Sequence, residues 1–227
     1  MMKKIVKYLC FTSGIALLAA ALSLAFYNIN QDRKSGETAR TIVDRLITEI
    51  PEPTQPATTV ITREDYDIIA EYEQSESNED TEKDIPSTEI DGSYYMGIII
   101  IPSLNLELPI QKNWSYPSLQ NSPCRYKGTI EDRNIIIAAH NYRSHFGRIG
   151  NLNTDDEIII RDVLGNIHEY KVESIEHIRG TDIERMDFGS EEDWDLTLFT
   201  CTLDGQSRVT VRAYISDSEE RGTGYEK

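Results

Sequence analysis

Between residues 96 and 215 the chain is broken into short β-branched runs, and no other feature narrows its possible folds as far. The runs are "MGIIII" (96–101), "LELPIQ" (106–111), "NIIIAA" (134–139), "DEIIIRD" (156–162), "IHEYKVESIEHI" (167–178), "DLTLFT" (195–200) and "RVTVRAYI" (208–215). Turn-forming stretches such as "IPSLN", "LGN" and "LDGQS" separate them. Isoleucine and valine fit a pleated surface, and runs of them closed by Gly, Pro, Asn or Asp read as strands. The 167–178 run alternates, Tyr170 and Val172 against Lys171 and Glu173, as a sheet wet on one side should. "MGIIII" and "NIIIAA" do not alternate, so these strands need cover on both faces. Only "SHFGRIGNL" and residues 181–194 read as irregular or briefly helical. The pattern predicts an all-β fold, a closed or nearly closed barrel.

Ahead of these strands the chain changes character twice. "MMKKIVK" precedes "YLCFTSGIALLAAALSLAFY" (8–27), an uncharged run of about twenty residues, long enough for a helix to cross a bilayer core. Lys3, Lys4 and Lys7 favour a cytoplasmic N-terminus, and Tyr8 and Tyr27 stand where interfacial aromatics belong. A cleaved signal peptide is the alternative, though its apolar core is usually shorter. In "ETARTIVDRLITEI" (37–50), Ile42, Val43, Leu46, Ile47 and Ile50 fall at helical spacing, which predicts a short amphipathic helix ended by Pro51, Pro53 and Pro56. After another possible helical turn, "REDYDIIAEY", comes "EQSESNEDTEKDIPSTEIDGS", too polar to offset its ordering entropy by burial. We read it as a self-repelling spacer rather than a calcium site or a tail for a cationic partner. The expected division is a cytoplasmic tip and membrane anchor (1–27), a partly helical, largely disordered acidic spacer (28–91), the barrel (92–217) and a flexible tail (218–227).

Composition removes several functions. A formal net charge of -16 opposes binding of nucleic acid through its phosphates. Of the three cysteines, Cys10 lies in the apolar run, leaving Cys124–Cys201 as the one bridge open to the rest. No cysteine and histidine spacing suits a structural metal, so no metal site is assigned.

Chemistry must then come from individual side chains. Cys201 ends the strand "DLTLFTC" and His140 ends "NIIIAAH", immediately before the polar "NYRSHFGRI". Two neighbouring barrel strands ending at one rim would bring thiol and imidazole together, on a scaffold that presents groups to a ligand. A nearby imidazole activates a thiol, as a base or as the positive half of an ion pair. Arg208 opens the next strand across the tight "TLDGQ" turn, where residues flanking a hairpin approach one another. Its forked, permanently charged guanidinium could hold a developing oxyanion. Arg212 shares its face and is a rival, as His145 is for His140. His168 and His177, nine residues apart on one strand, are expected on opposite faces as ordinary strand residues.

Here the residues resemble the sortases, cysteine transpeptidases of Gram-positive cell surfaces. "TLFTC" (197–201) fits their TLxTC signature, "MGIIIIPSLNLELPI" resembles their opening hairpin, "NIIIAAH" their histidine strand, and "FGRIGNL" with "DDEIII" the next turn and strand. The similarity covers roughly residues 94–215. It implies a closed eight-stranded β-barrel with short helices, behind a transmembrane helix and acidic linker. By the same resemblance Cys201 corresponds to the nucleophile, His140 to the general acid/base, and Arg208 to the arginine that binds substrate carbonyls and oxyanion. Thr200 corresponds to the signature threonine that helps line the oxyanion site. The implied enzyme cleaves an LPxTG-like sorting signal through a Cys201 thioacyl intermediate and attaches the protein to a cell-wall amine. Its partners would be surface proteins bearing a C-terminal sorting signal, a peptidoglycan precursor amine and, through the N-terminal helix, the membrane; no organic cofactor is required. It would sit in the cell membrane as a single-pass protein, N-terminus inside and catalytic domain outside. "AAH" stands where many members have "GH", and no Asp-Pro-aromatic lid or C-terminal transmembrane helix is seen. These departures predict a housekeeping-like or class B-like sortase, not a pilus-type one, with specificity walls partly from 179–194. Two other readings stay open. One is another extracellular cysteine peptidase or L,D-transpeptidase acting on cell wall. The other is a non-catalytic membrane-tethered β-barrel adhesin whose Cys201 is buried or bridged to Cys124.

Overall fold

A computed structural model describes residues 2–52, 85–187 and 194–216. The "REDYDIIAEY" turn, the acidic run up to residue 84 and the tail 218–227 lie outside these residues. Nine strands form one sheet: β1 (Thr88–Ile90), β2 (Ser93–Ile101), β3 (Leu106–Gln111), β4 (Cys124–Lys127), β5 (Ile135–Ala138), β6 (Glu157–Asp162), β7 (Ile167–Arg179), β8 (Leu196–Cys201) and β9 (Ser207–Ile215). Their order is β1-β2-β3-β4-β5-β8-β9-β7-β6, and β2 also pairs with β6, closing β2 to β9 into an eight-stranded barrel. β1 pairs only with β2 and is an edge addition. Closure brings β2 so near β6 that a Cβ at Gly97 would lie 2.4 Å from the Arg161 carbonyl oxygen, so the position admits glycine alone.

Among the described residues three α-helices accompany the barrel: α1 (Met2–Glu49), α2 (Tyr116–Leu119) and α3 (Ile183–Asp187). α1 is long and apolar enough in its first half to cross a membrane, and Phe11, Ile15, Leu18, Leu22 and Phe26 are exposed there. The short helix expected over 37–50 is the far end of this one helix, which continues unbroken through residues 28–36, the start of the spacer expected to be only partly helical. Burial explains the difference. Ile42, Val43, Leu46 and Ile50, spaced along one stripe, pack on Ile90, Tyr95 and Ile98 of the barrel wall. This contact also accounts for the uninterrupted "IIII". Ile99 and Ile101 point into the barrel core, while Ile98 and Ile100 point outward beneath α1.

"NIIIAA" has a parallel explanation. Ile135, Ile137 and Ala139 enter the main core; Ile136 and Ala138 face outward, under Leu119, Cys124, Ile178, Met186 and Phe199. His168 and His177 depart from expectation. β7 shifts register between Val172 and Ser174, a bulge that inserts one residue and reverses the alternation beyond it. Tyr170 and Val172 before it, and Ile175 after it, all pack on the same interior core. His168 and His177 therefore share a face, at opposite ends of the barrel.

Candidate active site

Strands β5 and β8 run parallel, with Ile136 opposite Thr197 and Ala138 opposite Phe199. The Ala139 N–H extends the ladder to the Phe199 carbonyl oxygen at 3.1 Å. Carried on by two residues, this register sets His140 against Cys201, both at the strands' C-terminal end. Since Phe199 faces outward, so does Cys201, two residues further on in β8. On the other side of β8, Cys201 is directly paired with Arg208 of antiparallel β9, so their side chains leave the same face. The structure thus brings His140, Cys201 and Arg208 to one rim, Cys201 and Arg208 on its outer face.

The hairpin between β8 and β9 is braced. Thr202 Oγ1 accepts the Ser207 N–H at 3.1 Å, Asp204 accepts the Gln206 N–H at 3.1 Å, and Gly205 takes φ 71, a left-handed conformation glycine adopts freely. Cys201 is exposed and free. His140 is half-buried, its ring 4.9 Å from that of Tyr142, and burial pushes its pKa below the ordinary value. A neutral imidazole at neutral pH is ready to accept the thiol proton. Arg208 turns back over the hairpin, Nη1 donating to the carbonyl oxygens of Gly205 (3.2 Å) and Ser207 (3.1 Å). Cys201 itself lines a cavity of ≈ 580 Å³, together with Asn141, Phe146, Gly150, His177, Thr200 and Leu203 among others.

Thr200 is adjacent to Cys201 but buried. It is 2 % exposed, and its hydroxyl donates to the Ala139 carbonyl oxygen at 2.8 Å. Its hydroxyl thus ties the histidine strand to the cysteine strand, while the residue also lines the cavity at Cys201.

The rivals separate cleanly. Arg212 is 1 % exposed, bonded to Thr197 Oγ1 at 2.7 Å and to the carbonyl oxygens of Arg185 (2.6 Å) and Met186 (3.3 Å); it holds α3 and has no access to a substrate. His145 is fully buried, and desolvation, with repulsion from His140 second, pushes its pKa down to about 4. His168 lies at the far end of the barrel, Nε2 3.1 Å from Asp162. Cys124 is buried among apolar side chains, which pushes its thiol up to about 12, so it is inert. Among the described residues no group of three or more His, Cys, Asp or Glu side chains could hold a metal ion. Tyr142, which leans on the His140 ring, was not singled out by sequence; its place in the polar loop after a strand-ending histidine was the one available signal.

The chain is similar to solved structures of sortases. The solved structure of sortase C1 from Streptococcus agalactiae is 25% identical, with a TM-score of 0.50 over 58% of this chain and 72% of that one. Sortase C of Clostridium perfringens, solved with the C-terminal cell wall sorting motif, is 24% identical (TM-score 0.49, 59% of this chain, 74% of that one). A pilus-related sortase C of Group B Streptococcus is 21% identical (TM-score 0.47, 57% and 70%). Nothing among these neighbours supports the expectation of a sortase other than the pilus type. No curated protein matches the chain. Residues 99–216, more than half of its length and all of the barrel from the end of β2 onward, match the sortase domain, and the chain belongs to the sortase family.

Proposed function

We propose that this sortase is a membrane-anchored cysteine transpeptidase in which Cys201 is the nucleophile, His140 the general acid/base and Arg208 the oxyanion partner. The reading is supported above all by the register that sets Cys201 between His140 and Arg208 on one exposed rim. A sorting signal of the LPxTG kind lies along that rim. The neutral His140 imidazole takes the Cys201 proton as sulfur bonds to the carbonyl carbon of the signal's threonine. Arg208 leaves the hairpin carbonyls to meet the oxyanion. Collapse of this intermediate breaks the peptide bond, the His140 imidazolium gives its proton to the leaving amine, and a thioester remains on Cys201. A cell-wall amine then attacks that thioester, loses its proton to His140 and expels the thiolate, which is reprotonated. α1 keeps the N-terminus in the cytoplasm and the barrel outside. An exposed, free Cys201 speaks against the adhesin reading, which needs it buried or bridged.

The test is steady-state cleavage of a fluorogenic sorting peptide, with and without an added amine, by the full chain in detergent micelles. Cys201→Ala and His140→Ala should abolish turnover, and the amine should divert product from acid to amide. Undiminished cleavage by Cys201→Ala would overturn the assignment.

A further inference from the structure

The loop that follows His140 is gripped by the helix that leads out of the membrane. Asp32 of α1 accepts the Arg143 N–H through Oδ2 (3.1 Å) and the Ser144 N–H through Oδ1 (3.0 Å). The Ser144 hydroxyl lies 3.0 Å from the Asp32 carbonyl oxygen and closer still to Oδ1. One turn on, the buried Ser35 hydroxyl donates to the Gln120 carbonyl oxygen, so its oxygen accepts the Nε2 proton of His145 at 3.0 Å. Between these contacts α1 comes so close that a Cβ on Gly36 would lie 2.8 Å from Ser144 Cβ. Asp32, Ser35 and Gly36 thus form a clasp on residues 143–145.

The clasp reaches His140 without touching it. The N–H groups of His145 and Gly147 both donate to the Tyr142 carbonyl oxygen at 2.9 Å, and Phe146 N–H donates to the His140 carbonyl oxygen at 3.2 Å. The loop is one hydrogen-bonded coil that starts at His140. Tyr142 stands in its middle, its ring 4.9 Å from that of His140 and 5.6 Å from that of His145. Moving residues 143–145 moves the tyrosine against which the imidazole rests.

We propose that Asp32, Ser35 and Gly36 are positioning residues, holding the His140 imidazole in reach of Cys201 by clasping its loop to the membrane-anchored helix. The barrel strands alone fix the backbone of His140 at their end; the clasp fixes its side chain, and it ties the catalytic geometry to α1. The proposal rests on His140 being the acid/base.

Asp32→Ala, Asp32→Asn and Gly36→Ala variants of the full chain in detergent micelles test it, each with a melting curve. Two readouts are taken: kcat and KM on the sorting peptide, and the titration of His140 followed by NMR of histidine-labelled protein. Misplacing a reacting group by about 1 Å can cost 10²-fold. Asp32→Ala should lower kcat about 10- to 100-fold with KM within about twofold, and should move the His140 midpoint up toward its ordinary value as the loop opens. Asp32→Asn retains a carbonyl oxygen for one N–H and should recover part of the rate. Gly36→Ala introduces the better helix former, so a fall in kcat there reports the clash with Ser144, and it decides the matter if Asp32→Ala does not fold. Folded Asp32→Ala and Gly36→Ala chains with parental kcat and parental His140 titration would overturn the proposal, as would a loss seen wholly in KM. A parent chain without turnover would instead count against the catalytic reading, leaving the clasp to be judged by the His140 titration.

Discussion

His145 should make this protein sensitive to acid. His145 is fully buried, and burial, with repulsion from His140 opposing attraction to Asp32, holds its pKa at about 4 against an ordinary 6.5. Between those values the unfolded chain binds a proton that the folded chain refuses. The stability His145 supports is therefore intact above pH 6.5, falls as pH drops, and is gone below about pH 4. From pH 7 to pH 4.5, integrating this single-site linkage gives a loss of about 2 kcal/mol. Carboxylates titrate over the same range, so the comparison must be internal. His145→Gln keeps a side-chain N–H for Ser35 and removes the titration. Urea unfolding of the full chain in micelles, followed by fluorescence of Trp114 and Trp194, should show the parent losing about 2 kcal/mol more than His145→Gln across that interval. Equal losses in the two proteins would refute the reasoning, since they would mean that His145 is charged in the folded state or reaches water there.

Thiol labelling should distinguish the two barrel cysteines: in a Cys10→Ser background the folded chain takes up one equivalent of iodoacetamide, on Cys201, and Cys124 reacts only after denaturation. The two arginines on the outer face of β9 should fail in different ways. Arg208→Ala should cut kcat/KM about 10²-fold or more with its melting temperature held. Arg212→Ala, which strands the carbonyl oxygens of Arg185 and Met186 and uncovers Glu176, should destabilise by about 3 kcal/mol in urea unfolding. Thr200→Val conserves shape and deletes the bond to Ala139, so it should cost about 1–2 kcal/mol of stability in the same assay, with KM unchanged.

The parts of the fold legible from sequence are those where burial is written in consecutive residues. The isoleucine runs of β2, β5 and β6 announce themselves. β4 does not, because "CRYK" buries one cysteine and shows no alternation, although it bridges β3 to β5. The faces of His168 and His177 could not be counted from their spacing, because the bulge in β7 depends on how β9 pairs with it. For the rim, position along the chain was enough: His140, Cys201 and Arg208 each stand at a strand's end, and parallel β5–β8 pairing with a short β8–β9 hairpin does the rest. That Thr200 bonds the Ala139 carbonyl oxygen had no signal, since a signature shows which residue stands next to the cysteine but not which backbone its hydroxyl meets. Asp32 and Ser35 had no signal at all. Their partners lie 85 to 112 residues away, and only docking of α1 on the barrel brings them together.

The central claim is that Cys201, served by His140 and Arg208, carries the acyl group. Single-turnover incubation of the full chain with a sorting peptide, quenched in acid and digested for mass spectrometry, addresses it directly. The account predicts a mass increment equal to the peptide cut after its threonine, on the fragment containing Cys201 and on no other, forming far more slowly in His140→Ala and Arg208→Ala. A peptide consumed with no adduct on Cys201, or with an adduct on another side chain, would contradict it.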